Sequence, residues 1–323
     1  MSQRAAAGKN FSFRRVGAMV LRYLYLWRAS WVRIAEMIYW PTVQMILWGF
    51  TSQFLQNHSS WLAQGAGMLI GGVLLWDVLF RSNLGVSLSF MEEMWSRNLG
   101  NLFVTPLRAY ELIAALMVMS LLRTLIGLMP AVLLAIIFYA FNLFALGLPL
   151  IGFFINLLIS GWSVGLVVSA LVLRFGLGAE SLAWVLVFAL APLSAIYYPV
   201  TVLPAWLQPA AMVLPMSHIF EGMRQVLFEG TLDVGHMVYA AGLNVVYAVV
   251  AVFFALRMFH AARRLGQAPI GGRSGIRYSA QGFADPDPSS PPLDEKRCAP
   301  GQMLRQEATI LMAIGQLEAG NVS

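Results

Sequence analysis

The sequence predicts an all-α membrane protein with six transmembrane helices, on three observations. Of its 323 residues, 59% are hydrophobic and only 11% are charged, with a mean hydropathy of +0.70, a composition too apolar for a soluble domain of this length. Apolar runs of roughly 18 residues or more recur along the chain, and about 20 such residues in a helix cross a hydrocarbon layer of about 30 Å. Lys and Arg gather on alternate breaks between these runs, which orients the whole chain. The single cysteine, Cys298, lies in a polar tail, so no disulfide framework, thiol pair or zinc cluster is expected. The net charge is +6, but the basic residues sit beside apolar runs rather than along a polar stripe. They therefore point to lipid headgroups and orientation, not to nucleic acid.

Taken in order, residues Phe11 to Arg33 place Arg14, Arg15, Arg22, Arg28 and Arg33 on one helical face and Val16, Val20, Tyr23, Leu24, Trp27 and Trp31 on the other. This reads as an interfacial helix on an anionic membrane surface, within a cytoplasmic N-terminal region 1–36. Span one runs from Ile38 to Leu55, with Trp40 and Trp48 as interface markers and Pro41 near its start. The early apolar segment is too long for a signal-peptide core and lacks a small-residue cleavage pattern, so it is expected to stay in place. Asn57-His58-Ser59 matches a glycosylation acceptor, which has meaning only in a eukaryotic secretory pathway. Span two runs from about Gly65 to Phe90, span three from Leu112 to Phe141, span four from Leu148 to Leu173, span five from Ser181 to Tyr198 and span six from Gly235 to Phe259.

The loop residues orient these spans. Seven Lys/Arg precede span one. Arg97 and Arg108 follow span two, Arg174 follows span four, and Arg263 and Arg264 follow span six. On the other side only Arg224 appears, close to Glu221. Both termini are thus expected in the cytoplasm. The six-span body occupies 37–265, and the Gly-, Pro- and Ser-rich tail 266–323 is expected to be disordered, with a weak helical pattern over Met303 to Ala319.

Between spans two and three lies a polar island, EEMWSRNLGNLFVTPLR from Glu92 to Arg108. At about 100° per residue, Glu92, Glu93, Ser96, Arg97, Gly100 and Asn101 share one face and Met91, Met94, Trp95, Leu99, Leu102 and Phe103 the other. Glu93 and Arg97 stand four apart with the acid first, and Pro106 forces Thr105 out of helical geometry. The pattern predicts a short amphipathic helix, either resting on lipid or docking on a partner. A second irregular stretch, Tyr198-Pro199 to Leu203-Pro204-Ala205-Trp206 and on through Leu214-Pro215 to His218, carries four prolines between Pro199 and Pro215. These exclude a single spanning helix.

Together the two stretches resemble the permease subunits of type-2 ABC exporters, which include polysaccharide, lipo-oligosaccharide and drug efflux permeases. The resemblance covers Phe11 to Arg264. It implies that Glu93, Arg97, Leu99, Leu102, Thr105 and Pro106 belong to a cytoplasmic coupling helix docking on an ABC ATPase subunit. It also implies that Pro199, Leu203, Pro204, Trp206, Pro215 and His218 form a re-entrant hairpin on the outer side. The family at large further implies a bacterial inner-membrane exporter that pairs with a second permease copy and moves an amphipathic, lipid-linked or drug-like substrate. The register departs at Asn98-Leu99, where the family commonly has Gly-Thr.

Asp77, Arg81 and Arg123 lie inside spans, where a bare charge is expensive, so they are expected to form one compensated cluster, structural or on the transport path. Gly67-x3-Gly71 and Gly161-x3-Gly165 permit close helix approach. Gly161-Trp-Ser163-Val-Gly165 also matches a nucleophile elbow, but that motif needs a strand, a turn and a helix, and this one falls in mid-span. The only lysines, Lys9 and Lys296, sit in no phosphate-binding loop, so no cofactor is expected on this chain and ATP-Mg belongs on a partner. The rival readings are an intramembrane enzyme and a membrane scaffold without transport.

Overall fold

The computed structural model describes residues 11–264 apart from 29, 59, 97, 100, 101, 103, 104 and 106, and gives only the backbone of 56–58, 60–66 and 264. Among these residues the fold is all helical. Helix α1 (Phe13–Arg28) is followed by α2 (Trp31–His58), α3 (Ser60–Trp95), α4 (Ala109–Tyr139) and α5 (Leu148–Phe175). Then come α6 (Leu182–Leu193), the short α7 (Gln208–Met212), α8 (Pro215–Glu229) and α9 (Val234–Arg264). The expected tail 266–323 lies outside the described residues.

Four helical stretches are long and apolar enough to cross a membrane: Gly67–Trp95, Ala109–Tyr139, Leu148–Phe175 and Val234–Arg263. They coincide with the second, third, fourth and sixth expected spans. Helix α2 has the length, at 28 residues, but dilutes its apolar run with Thr42, Gln44, Thr51, Ser52 and Gln53. The stretch expected as span five stops short, because α6 has 12 residues and covers about 18 Å at 1.5 Å per residue. Past Pro192 the chain leaves helical geometry, and Ala195 takes a left-handed φ of 52°.

The core forms two stacked layers. One joins α1, the ends of α3 and α5, the start of α4 and the end of α9, around Tyr23, Phe90, Met91, Leu116, Met119 and Phe259. We call it the basic end. The other, the hairpin end, gathers Leu74, Leu79, Phe153, Met216, Ile219, Phe220 and Met223. Phe80, Trp162 and Val164 pack against both layers.

Between the layers α3 and α5 cross with almost no side chain between them. A Cβ on Gly161 would meet the Ser82 hydroxyl and stand 2.5 Å from the Leu79 carbonyl oxygen, and one on Gly165 would stand 2.7 Å from the Asn83 carbonyl oxygen. The apparent nucleophile elbow is therefore a helix-packing notch, and the Ser163 hydroxyl donates to the Ile159 carbonyl at 2.9 Å. Trp162 Nε1 donates to Ser120 Oγ at 3.1 Å, and Ser120 Oγ in turn donates to the Ser82 carbonyl at 2.7 Å, tying α4 to the same crossing. Gly161→Ala is expected to lower stability by about 1–3 kcal/mol through overpacking, read as a fall in thermal midpoint of the detergent-solubilised chain. An unchanged midpoint would show that the helices can part.

Candidate coupling site

Helix α3 runs unbroken through Glu92 and Glu93 and ends at Trp95. The expected amphipathic helix from Met91 to Phe103 is thus split. Its first residues belong to the long helix, and a separate helical turn includes Leu99 and Leu102. The break is made by backbone hydrogen bonds, with Asn98 N donating to the Glu93 carbonyl at 3.1 Å and Leu102 N to the Asn98 carbonyl at 3.0 Å. The Asn98 side chain also donates to Glu93 Oε2 at 2.8 Å.

The carboxylates that end α3 turn inward. Glu93, 1% exposed, receives both Nη1 and Nη2 of Arg22 at 2.8 and 3.1 Å. Glu92 accepts from Arg123 Nη2 at 2.9 Å and has Arg33 at 3.5 Å. Glu111, on the first turn of α4, accepts from the backbone of Ser12 and Arg108, both at 3.0 Å, and from Arg15 Nε at 3.1 Å and Nη2 at 2.6 Å. Three acids of the bundle therefore hold the start of the chain by its arginines.

This corrects the reading of α1. Its inner face is Val16, Met19, Tyr23 and Trp27, all buried, while Trp31 and Leu24, expected on the apolar face, are exposed. Arg15, Arg22 and Arg33 are ion-paired within the chain rather than spread toward lipid. Burial and the neighbouring Glu93 push the Tyr23 phenol well above its ordinary range, so it stays protonated against that carboxylate.

The expected cluster of Asp77, Arg81 and Arg123 is two separate groups. Arg81 Nε donates to Asp77 Oδ2 at 2.6 Å, its Nη1 donates to the Met37 carbonyl at 2.8 Å, and its guanidinium lies on Gly127 where a Cβ would collide. Arg123 instead reaches along the bundle to Glu92, with its guanidinium carbon 4.9 Å from the Trp27 ring centroid. A long flexible arginine can carry its charge toward the polar end of a helix, which depth counted along the sequence does not reveal. A double-mutant cycle should therefore show a coupling of about 1–3 kcal/mol between Arg123→Gln and Glu92→Gln. Arg123→Gln and Asp77→Asn should add. Coupling in the second pair and none in the first would restore the single cluster.

Of the residues expected to dock on a partner, Glu93, Leu99 and Leu102 are buried in this chain's own core, and among those described Thr105 alone is exposed, its hydroxyl donating to the Leu102 carbonyl at 2.6 Å. Arg97 and Pro106 lie outside the described residues. The outward surface of the segment carries Trp95, 46% exposed, and Ser96. Trp95 Nε1 donates to Glu180 Oε2 at 3.2 Å, joining this loop to the one between α5 and α6. Sequence reasoning missed this contact and the role of Glu111. The available signal was an acid at the start of an apolar run, matched by arginines far away in sequence.

At the other end the proline-rich stretch forms a bent hairpin. Pro199, Pro204 and Trp206 lie exposed along its first limb with Leu203 partly buried, while Pro215 starts the buried helix α8. Arg224 pairs with Glu221 at 2.9 Å, as their proximity in sequence suggests. The pair pins the limb, since Arg224 Nη1 donates to the Ala195 carbonyl and Glu221 Oε1 accepts from Val200 N, both at 2.8 Å. His218 is buried in α8.

Four apolar helices around ion-paired polar ends define a multi-pass helical membrane protein. The model of the ABC-2 type transporter family matches residues 22–228, and the chain belongs to that family. The matched region begins within α1 and ends within α8, so it contains both the segment after α3 and the hairpin. No curated protein matches the chain. Members of this family are membrane permease components that in general work with an ABC ATPase.

Proposed function

We propose that the chain is the transmembrane subunit of an ATP-driven exporter in a bacterial inner membrane. It pairs with a second copy and carries an amphipathic, lipid-linked or drug-like substrate out of the cytoplasm. The observation that carries this reading is the connection between α3 and α4, which is tied at its two ends by Asn98 on Glu93 and the Arg108 N–H on Glu111, while Trp95, Ser96 and Thr105 are exposed. A segment tied to the end of α3 through Asn98 and Glu93 would pass a push on to the helices that it joins. In this reading the basic end is cytoplasmic with both termini, and α2 and the α6 limb supply two crossings beyond the four long apolar helices. The coupling contact is then Trp95 with Thr105 and the Glu180 loop, and Leu99 and Leu102 act as its anchor. Membrane lipid covers the outer face of α1, where Phe13, Leu21 and Tyr25 are exposed.

Co-purification with an ABC ATPase tests the reading and separates it from an intramembrane enzyme or a passive scaffold. Trp95→Ala combined with Thr105→Arg is expected to leave insertion and thermal midpoint unchanged while ATPase retention falls at least about tenfold, as for loss of a central aromatic anchor. Full retention in this variant would refute the assignment of the docking surface.

A further inference from the structure

We propose that the basic end carries a seat for the phosphate headgroup of an anionic membrane lipid, between the start of α4 and the end of α9. The floor of this pocket is apolar, made by Leu102, Leu107, Leu112 and Phe259, and its rim is Arg108, His260 and Arg263. No acid is among the described residues that line it. It encloses only about 20 Å³, little more than one water needs, so an occupant lies across its mouth against the rim.

The fold assembles this rim from residues far apart in sequence. Arg263 Nη2 donates to the Leu107 carbonyl oxygen at 3.5 Å, so the last turn of α9 reaches the residue just before Arg108. Arg108 Nη1 donates to Tyr110 Oη, and its guanidinium carbon stands 5.7 Å from the Tyr110 ring centroid. His260 donates from Nδ1 to the Leu256 carbonyl at 2.6 Å, which fixes the ring on its own helix. Glu111, the acid nearest to Arg108 in sequence, is fully buried and already engaged by Arg15 and by the Ser12 and Arg108 N–H groups. The rim is therefore complementary to an anion, and a planar guanidinium meets two oxygens of one phosphate at once.

The surface leading away from the rim selects a lipid over free phosphate. Stepping back along α9 by three and four from Arg263 and His260 gives Phe253, Val249 and Val246 on the same face, each more than half exposed. This apolar stripe lies within the long apolar helix Val234–Arg263, so an acyl chain can follow it while its phosphate rests on the rim. Arg257, with its guanidinium carbon 4.9 Å from the Phe253 ring centroid, adds positive charge beside the stripe. A basic pocket between spanning helices is the arrangement that holds anionic headgroups. A lipid seated there clips α9 to α4, whatever the chain transports.

The test is a titration of the purified full chain in detergent, read by native mass spectrometry and thermal midpoint. The probes are phosphatidylglycerol, phosphatidylcholine with the same acyl chains, and inorganic phosphate. The wild type is expected to retain phosphatidylglycerol and rise in midpoint, and to respond to neither of the others at the same concentration. Arg263→Gln should weaken phosphatidylglycerol retention about fivefold, the effect of one arginine at an anionic surface. Arg108→Gln combined with Arg263→Gln should abolish the rise. Each variant is read against its own lipid-free midpoint, which separates a loosened α9 from a lost site. Arg174→Gln, at an exposed arginine outside the pocket, should leave retention unchanged. Equal retention by wild type and the double variant, or no preference over phosphatidylcholine, overturns the site. An equal response to inorganic phosphate shows an anion site with no part for the acyl chain and overturns it too.

Discussion

Leu102→Asp is expected to unfold the basic end of the protein rather than to release a partner from it. Leu102 is 6% exposed and packs in one cluster with Leu99, Leu107, Leu112 and Phe259. A carboxylate placed there breaks up an apolar cluster, and burying it unpaired costs several kcal/mol, on the order of the whole stability of many domains; Arg108 and Arg263 line the same pocket, and only a swing of one of them onto the new carboxylate would reduce that cost. The measurement is the yield of monodisperse protein after membrane extraction, together with its thermal midpoint. Both should fall sharply, with ATPase retention lost only as a consequence. A well-folded Leu102→Asp that merely fails to hold the ATPase would mean that Leu102 faces outward. Leu102→Met, which conserves volume, should cost less than about 1.5 kcal/mol and serves as the control.

Glu111→Ala is the second large effect. The wild-type carboxylate is fully buried and serves the Ser12 and Arg108 backbone N–H groups and the Arg15 guanidinium at once. Removing it strands those donors and leaves Arg15 without its carboxylate, which costs about 3–5 kcal/mol when a buried pair loses one partner. The expected result is a lowered thermal midpoint and a start of α1 that becomes open to protease while the four long apolar helices stay protected. Arg15→Ala should cost distinctly less, because Glu111 keeps two backbone donors and Arg15 is the more exposed partner. Equal losses in the two variants would show that the arginine contact alone carries the joint.

Composition and hydropathy alone lead to the helical class and to four of the expected spans, because a long apolar helix is a local property of the chain. What they misplace depends on partners distant in sequence. Nothing near Arg22 announces that it will meet Glu93, or near Arg15 that it will meet Glu111, so α1 reads as a lipid-facing helix when half of it is an inner strap. The two-faced pattern after Glu92 is real, yet periodicity names no occupant for the apolar face, and that occupant is the chain itself. Arg123 and Asp77 show the same limit, since similar depth along two helices is not contact when the side chain is as long as the distance in question. The proline-rich stretch was legible as irregular because proline acts locally, but the meeting of His218 with His236 required the fold.

The near-bare crossing of α3 and α5 at Gly161 and Gly165 has a mechanical consequence. Ser82, at the crossing, is separated from Trp95 by about 20 Å along α3 and from Gly67 by a similar length, at 1.5 Å per residue. With the glycine notch as fulcrum, α3 is a lever of nearly equal arms, so a tilt of about 5° carries its two ends about 2 Å in opposite directions. Were Trp95 displaced inward about this fulcrum, the other end of α3, beside the hairpin, would be displaced outward by a similar distance.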